Sequence, residues 1–401
     1  MVALWSLAVA FVPAIAWLLL KGENDSPDQK GCVTKPVRGR RHFLDTAAQR
    51  RVAREEFYRD FKNFDYNCPP HSDLDKGLNV EEKYVLNSKG KEIFLKSWAP
   101  AHKPLYGVIF LCHGYGDTVT YFLEGVARTL ALAGYAVHGM DYPGFGMSEG
   151  LHGYIPDFHA LVDDVIEQYR AIKEREELKV LPCFLFGESL GGAIALAVHL
   201  KKPSMWNGAV LVAPMCKVAD SMYPPWIQLQ ILLLLARIVP KAKLVPGQDI
   251  AALGFRDKEK KKLADMNPVA YIDNPRLGTA LQMLQITDYI DSKLHEVTLP
   301  FLVLHGDSDR VTDPSISKLL YEKAMSSDKT LQLYEDSWHC ILQGEPDDVT
   351  RRIVENLVSW LDAHSAAPKL PTLDASEKEL QKRVDAASPS LLSFGRLNTA
   401  T

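Results

Sequence analysis

Cysteine is sparse. The 401 residues include six, and Cys32, Cys68, Cys112, Cys183, Cys216 and Cys340 form no C-x-x-C pair and no His/Cys ligand spacing, which argues against a disulfide framework and against a zinc module. Cys112, Cys183 and Cys216 fall in or beside apolar runs, where a free thiol behaves as a small hydrophobe, so reduced cysteines in a reducing compartment are expected. An excess of charge of one sign is also lacking: 46 basic and 50 acidic residues give a net charge of −4. Their mixing along the chain leaves no field to gather nucleic acid. Internal repeats are absent too. Hydrophobic residues at 47% and charged residues at 24% let the bulk of the chain bury a full core and exclude disorder for most of it.

Charge is missing altogether from Val2 to Leu20, an apolar run with Trp5 and Trp17 near its ends and Pro13 within it. That length just spans a bilayer core. A cleaved secretory signal needs positive charge ahead of the run and a small-residue site behind it. Here no Lys or Arg precedes the run, and Leu18, Leu19 and Leu20 follow the Ala-x-Ala at Ala14 to Ala16. The preferred expectation is a membrane anchor over residues 1–21; a processed targeting peptide and a monotopic insertion are the alternatives. Basic residues collect downstream (Lys21, Lys30, Lys35, Arg38, Arg40, Arg41). The positive-inside bias keeps that side in the cytosol, so attachment to an endomembrane such as the ER, with the folded part cytosolic, is expected, against a plastid or soluble cytoplasmic alternative.

Residues 22–76 read as a polar linker followed by a short amphipathic helix, Ala47 to Phe64, outside the main fold. From Leu78 the texture alternates. Strand-like runs at Val80 to Leu86, Glu92 to Trp98, Gly107 to Cys112, Tyr135 to Met140, Leu181 to Phe186, Ala209 to Val212, Phe301 to His305 and Leu331 to Tyr334 are separated by helix-length segments at Val119 to Ala133, Phe158 to Glu174, Gly191 to Lys202, Pro314 to Ala324 and Pro346 to His364. This predicts an α/β domain over 77–365 with a mostly parallel sheet, an antiparallel start and helices on both faces. The stretch from about 215 to 297 holds no strand. It carries the apolar run Trp226 to Val239, a charged helix at Arg256 to Met266 and another near Thr279 to Ile286, and reads as a helical cap over the carboxyl ends of the strands. Residues 366–401 turn to Pro, Ser, Ala and charge without periodicity, and read as a mobile tail.

Gly187-Glu188-Ser189-Leu190-Gly191-Gly192 follows an apolar strand and opens a helix, the context of a nucleophile elbow. A bare Gly-x-Ser-x-Gly arises by chance in roughly one chain of this length in ten; its position after the strand gives it weight. A serine hydroxyl needs a base to take its proton, and the base needs an acid to hold its tautomer. In this fold the order is Ser, acid, His. His339 follows the strand at Leu331 to Tyr334 and is the base. Asp309 follows the strand at Phe301 to Leu304 and is the preferred acid, with Asp307 and Asp313 as competitors. The oxyanion donors are the amide of Leu190 and an amide of the loop His113-Gly114-Tyr115-Gly116, with Tyr115 preferred.

Other candidates have plainer readings. Of twelve histidines, His71, His102, His199, His295 and His364 follow no late strand and read as surface or structural; His113 reads as a support of the oxyanion loop. His152 and Asp157 match the His-x4-Asp spacing of some acyltransferases but begin a loop and a helix rather than an elbow. Asp141 ends a strand and is expected to tie a loop by hydrogen bonds. The run Ile227 to Leu235 is either core packing or a surface that lines an acyl-chain tunnel or touches a membrane.

Met140-Asp141-Tyr142-Pro143-Gly144-Phe145-Gly146 runs into Ser148-Glu149-Gly150-Leu151-His152-Gly153-Tyr154; later come Leu211-Val212-Ala213-Pro214-Met215-Cys216-Lys217, then His305-Gly306 with Val311-Thr312-Asp313-Pro314. With the elbow, these stretches resemble the monoacylglycerol lipase family, closely its plant-type branch with caffeoylshikimate esterase-like proteins, over about Leu78 to His364. The resemblance implies an α/β-hydrolase fold, the triad Ser189, Asp309 and His339, oxyanion amides at Tyr115 and Leu190, and hydrolysis of a monoacylglycerol or similar ester without metal or organic cofactor. It leaves open a lysophospholipase, a phenolic esterase, an acyltransferase and a non-catalytic receptor. Partners implied are a small ester or lipid and a membrane surface. Glu188 stands where many monoacylglycerol lipases carry histidine, and the apolar N-terminus lies outside the resemblance.

Overall fold

The computed structural model describes residues 44–60 and 77–366, apart from 103, 219–224 and 246–248. The expected anchor, most of the linker and the tail beyond 366 lie outside the described residues, among which no helix is long and apolar enough to cross a membrane.

The strands β1 (Leu78–Leu86), β2 (Glu92–Pro100), β3 (Gly107–Cys112), β4 (Tyr135–Met140), β5 (Cys183–Glu188), β6 (Gly208–Val212), β7 (Phe301–Gly306) and β8 (Lys329–Tyr334) form one eight-stranded sheet in the order β1-β2-β4-β3-β5-β6-β7-β8. β2 is antiparallel to both β1 and β4, and every later pair is parallel. From β3 to β7 every strand residue is buried, the continuous apolar texture of strands covered on both faces. Alternate side chains serve opposite cores. Val108, Phe110 and Leu185 join helices α3 (Phe158–Lys173), α4 (Leu190–Lys201) and α9 (Pro314–Lys323), while Ile109, Leu111, Phe184 and Phe186 join α2 (Phe122–Leu132) and α10 (Asp347–His364). Strand order reverses between β3 and β5, and open α/β sheets form their clefts at the carboxyl ends of strands at such a point.

Between β6 and β7 lie α5 (Trp226–Ile238), α6 (Ile250–Gly254), α7 (Lys258–Asp265) and α8 (Leu277–Ser292), the expected cap. α8 outruns the expected Thr279 to Ile286 because Ile286 and Ile290 drop into the main core. α2 begins at Phe122 rather than Val119, since the Val119 amide and the Thr118 hydroxyl are both committed to Asp141 Oδ1 at 2.8 Å.

The first helix corrects an expectation. α1 (Ala47–Asp60) is docked on the domain rather than standing outside it. Arg50 is fully buried; its Nε donates to the Gly146 carbonyl at 2.5 Å, and its terminal nitrogens donate to the carbonyls of Ser148 at 2.6 Å, Leu44 at 3.1 Å and Asp45 at 3.2 Å. Burial pulls this guanidinium down to about 10, against the pull of the Asp141 charge. Arg54 adds a fork to Glu82 at 2.6 and 2.9 Å. Asp45 pairs with Arg276 at 2.6 Å, and Arg276 Nε donates to the His152 carbonyl at 2.9 Å, which staples the start of α1 to the base of cap helix α8.

Candidate active site

Ser189 sits between β5 and α4 with φ 54° and ψ −118°, a strained backbone that aims its side chain out of the sheet. Its amide donates to the Val212 carbonyl at 2.9 Å. The flanking glycines are required by space: a Cβ on Gly187 would lie 2.3 Å from the Gly191 carbonyl oxygen, and one on Gly191 would lie 1.9 Å from that of Cys112. The elbow is therefore pressed against the end of β3, bringing Ser189 and the loop His113 to Gly116 together.

Asp309 and His339 meet. His339 Nδ1 lies 2.7 Å from Asp309 Oδ2, both side chains being buried. The loops that carry them are packed by Gly306, where a Cβ would lie 2.2 Å from the Ser337 carbonyl oxygen, and by Ser308, whose amide donates to that same oxygen at 3.1 Å. The competing acids are occupied elsewhere: Asp307 is exposed, and Asp313 caps α9 by accepting from the Ser315 amide at 2.8 Å. Among the described residues His339 Nε2 has no hydrogen-bond partner, and the Ser189 hydroxyl makes no hydrogen bond; catalytic bonds of this kind often tighten only once substrate is bound.

Sequence reasoning missed two supports of the acid. His305, fully buried at the end of β7, sets its Nε2 2.9 Å from Asp309 Oδ2 and 3.1 Å from the Thr312 carbonyl oxygen, with Nδ1 2.7 Å from Ser317 Oγ. Nε2 faces two acceptors and so must carry the proton. Thr312 Oγ1 donates to Asp309 Oδ2 at 2.8 Å, while the amides of Val311 and Thr312 donate to Oδ1 at 2.7 and 3.0 Å. Burial pushes the Asp309 carboxyl up, but the hydrogen bonds and charges of His305 and His339 outweigh it and hold the carboxyl far below the usual range. The pattern His305-x-x-x-Asp309 was the available signal; its geometry depends on a loop turn that periodicity does not encode.

The oxyanion loop sits over the serine, with a Cβ on Gly114 reaching 3.7 Å from that of Ser189. Among the described residues the amides of Tyr115 and Leu190 donate to no backbone acceptor. His113 supports the loop: Nδ1 lies 2.8 Å from the Gly114 carbonyl oxygen, Nε2 accepts from the Tyr142 amide at 3.3 Å, and the ring stacks on Tyr142. Burial lowers this imidazole to about 4, so it stays neutral in one tautomer. Behind it, Asp141 accepts from Thr118 and the amides of Val119 and Met147. The loop is also tied to the cap, since the Tyr271 amide donates to the Gly116 carbonyl at 2.7 Å and the Tyr115 and Tyr271 rings meet edge to face.

His152 and Asp157 do not form a pair. His152 is buried edge-on against the Tyr271 ring, and Asp157 caps α3 by accepting from the Ala160 amide at 3.0 Å. Nor does the apolar run of the cap pack as core. Ile227, Ile231, Leu234 and Ile238 are all exposed, and Ala236 is the buried residue of α5. Their spacing of four, three and four draws one apolar stripe along the outer side of the helix, flanked by the exposed Gln228, Gln230 and Arg237.

Sheet, elbow and cap together are those of an α/β-hydrolase. Residues 103–347 match the Hydrolase_4 family (serine aminopeptidase, S33). The chain is 32% identical to caffeoylshikimate esterase of Arabidopsis thaliana, with 72% of this chain and 86% of that protein covered, and 30% identical to human monoglyceride lipase, with 71% and 91% covered. Among solved structures, a soluble variant of Saccharomyces cerevisiae monoglyceride lipase with a substrate analogue superposes with a TM-score of 0.63 at 22% identity, covering 74% of this chain and 99% of that one. The chain belongs to the Hydrolase_4 family, in the branch that holds the monoglyceride lipases and caffeoylshikimate esterase, and is a carboxylic ester hydrolase.

Proposed function

We propose that this hydrolase cleaves a monoacylglycerol, or a similar ester with one acyl chain and a small polar alcohol, through an acyl-enzyme on Ser189. The observation that carries the reading is the 2.7 Å bond between Asp309 Oδ2 and His339 Nδ1 on loops packed beside the elbow. Ser189 Oγ attacks the ester carbonyl as His339 takes its proton, the oxyanion rests on the amides of Leu190 and Tyr115, and the alcohol leaves with the proton from His339. Water then repeats the sequence and releases the acid. With the full chain, kcat/KM for monoolein is expected to exceed that for lysophosphatidylcholine and caffeoylshikimate by roughly tenfold or more. A higher value for caffeoylshikimate would replace this reading with a phenolic esterase, the activity named by the Arabidopsis relative.

The same reading sets the enzyme at a membrane. The exposed stripe of α5 supports docking of the cap on a bilayer, and the apolar run at residues 2–20 with basic residues behind it supports an endomembrane anchor with the catalytic domain cytosolic. In microsomes the wild-type chain is expected to resist carbonate extraction while external protease removes its catalytic domain. Replacing Ile231 and Leu234 together by Asp should leave that attachment intact, lower the rate on monoolein in phosphatidylcholine vesicles by about tenfold or more, and spare soluble p-nitrophenyl acetate. A protected domain, or an unchanged vesicle rate, would overturn the corresponding half of the proposal.

A further inference from the structure

The residue before the nucleophile is a buried acid with a buried amide on it. Gln343 Nε2 donates to Glu188 Oε2 at 2.8 Å, and the two side chains are 3% and 7% exposed. This bond joins the elbow to the loop that carries His339. Gln343 belongs to a tight turn in which its amide and that of Gly344 fold back on the Cys340 carbonyl at 3.1 and 2.6 Å, while the Cys340 amide is held by the Gly254 carbonyl of the cap at 3.0 Å. Gln343 Oε1 is buried without a partner. Buried amides are seldom left half satisfied, and such a group calls for an explanation.

We infer that Glu188 and Gln343 form a clamp that positions His339 over Ser189, and that the Glu188 carboxylate adds a second negative charge facing the imidazolium formed during turnover. Asp309 alone fixes one ring nitrogen and leaves the distance between the two loops unset; the clamp spans that gap one residue from Ser189 and four from His339. The charges of Glu188 and His339 act on each other, the pull of the imidazole and of Gln343 working against burial, which raises the Glu188 carboxyl. The other titratable groups facing this cluster are Asp309, Asp117 of the oxyanion loop, Cys340 and Glu345. Asp117 and Glu188 oppose each other's ionisation, and burial chiefly, with this repulsion, lifts Asp117 to about 8. Glu188 and Gln343 are thus positioning residues.

The clamp rests on the reading of Ser189 and His339 as nucleophile and base, and its test separates the two. Gln343→Leu in the full chain is expected to lower kcat by roughly tenfold to a hundredfold with KM little changed, as an interaction made in the transition state does. Glu188→Gln keeps an acceptor for Gln343 and should lose less of kcat than Gln343→Leu, roughly threefold to tenfold, while moving the acid limb of kcat/KM to lower pH by about half a unit to one unit, because the imidazolium loses a stabilising negative charge. Should Gln343→Leu fold poorly, Gln343→Met, which keeps the length of the side chain and removes the donor, carries the same kcat test of the clamp, and Glu188→Gln tests the charge through its pH profile. Wild-type kcat in a folded Gln343→Leu chain overturns the clamp, and a superimposable pH profile for Glu188→Gln overturns the charge. Hydrolysis surviving in Ser189→Ala would instead sink the underlying reading.

Discussion

Ser189→Ala is expected to lower kcat for ester hydrolysis by about 10⁶-fold and to abolish labelling by a fluorophosphonate, while leaving the thermal midpoint nearly unchanged. The size follows from losing the atom that forms the acyl-enzyme, since neither base nor oxyanion donors can act without it. The small effect on stability follows from the backbone. Ser189 keeps φ at 54° because Val212 holds its amide and the neighbouring glycines leave room, and its side chain takes no part in capping α4. Alanine keeps all of this. Stopped assays at high enzyme concentration, with a calorimetric scan of both proteins, check the two halves. Residual hydrolysis above roughly 1% of wild type would move the nucleophile elsewhere.

Asp309→Asn is expected to lower kcat by roughly 10⁴-fold, for a reason visible in its five hydrogen bonds. Oδ1 is held by the amides of Val311 and Thr312, so an asparagine keeps its carbonyl oxygen there and turns its NH₂ toward His339, His305 and Thr312. That NH₂ faces His339 Nδ1, which must then become an acceptor and send its proton to Nε2, the wrong tautomer for taking a proton from serine. Two further donors, His305 Nε2 and the Thr312 hydroxyl, lose Oδ2 and fall back on the carbonyls of Thr312 and Ala213, each at 3.1 Å, so the added cost in stability stays at about 1 kcal/mol. The pH dependence has a definite sign. A carboxyl held below its unfolded value near 3.9 stabilises the fold at pH above that value and loses the contribution as pH falls below it. The variant should therefore show a flatter decline of stability from about pH 4 downward than wild type. Kinetics near neutrality and unfolding midpoints between pH 2 and 7 measure both, and a variant with wild-type kcat would return Asp307 or Asp313 to contention.

Where the chain's local pattern matched its neighbours' demands, the architecture was legible. The all-apolar runs at Gly107 to Cys112 and Phe301 to His305 announce strands covered on both sides, and Gly187 to Gly192 announces a strand-to-helix turn. What stayed hidden was set by groups far apart in sequence. Nothing near Arg50 tells that its guanidinium is buried by carbonyls 96 and 98 residues away, so α1 read as an appendage. His305 looked like the end of a strand, because its hold on Asp309 depends on how the loop folds back over four residues. Asp141 was legible as a loop tie because its donors cluster near it in space at the end of a strand, though which donors it takes was not. The cap run was ambiguous for a different reason: with apolar residues on more than one face of the helix and Gln228, Gln230 and Arg237 between them, the pattern does not say which face is outward.

The bond between the Tyr271 amide and the Gly116 carbonyl has a consequence for how this enzyme could be altered. A cap that only shaped the pocket could be exchanged like a cassette, changing the choice of substrate and leaving turnover alone. Here the cap grips the segment proposed to receive the oxyanion, so new substrate preferences obtained by rebuilding residues around Tyr271 are expected to come with a changed rate, and selectivity and speed to evolve together.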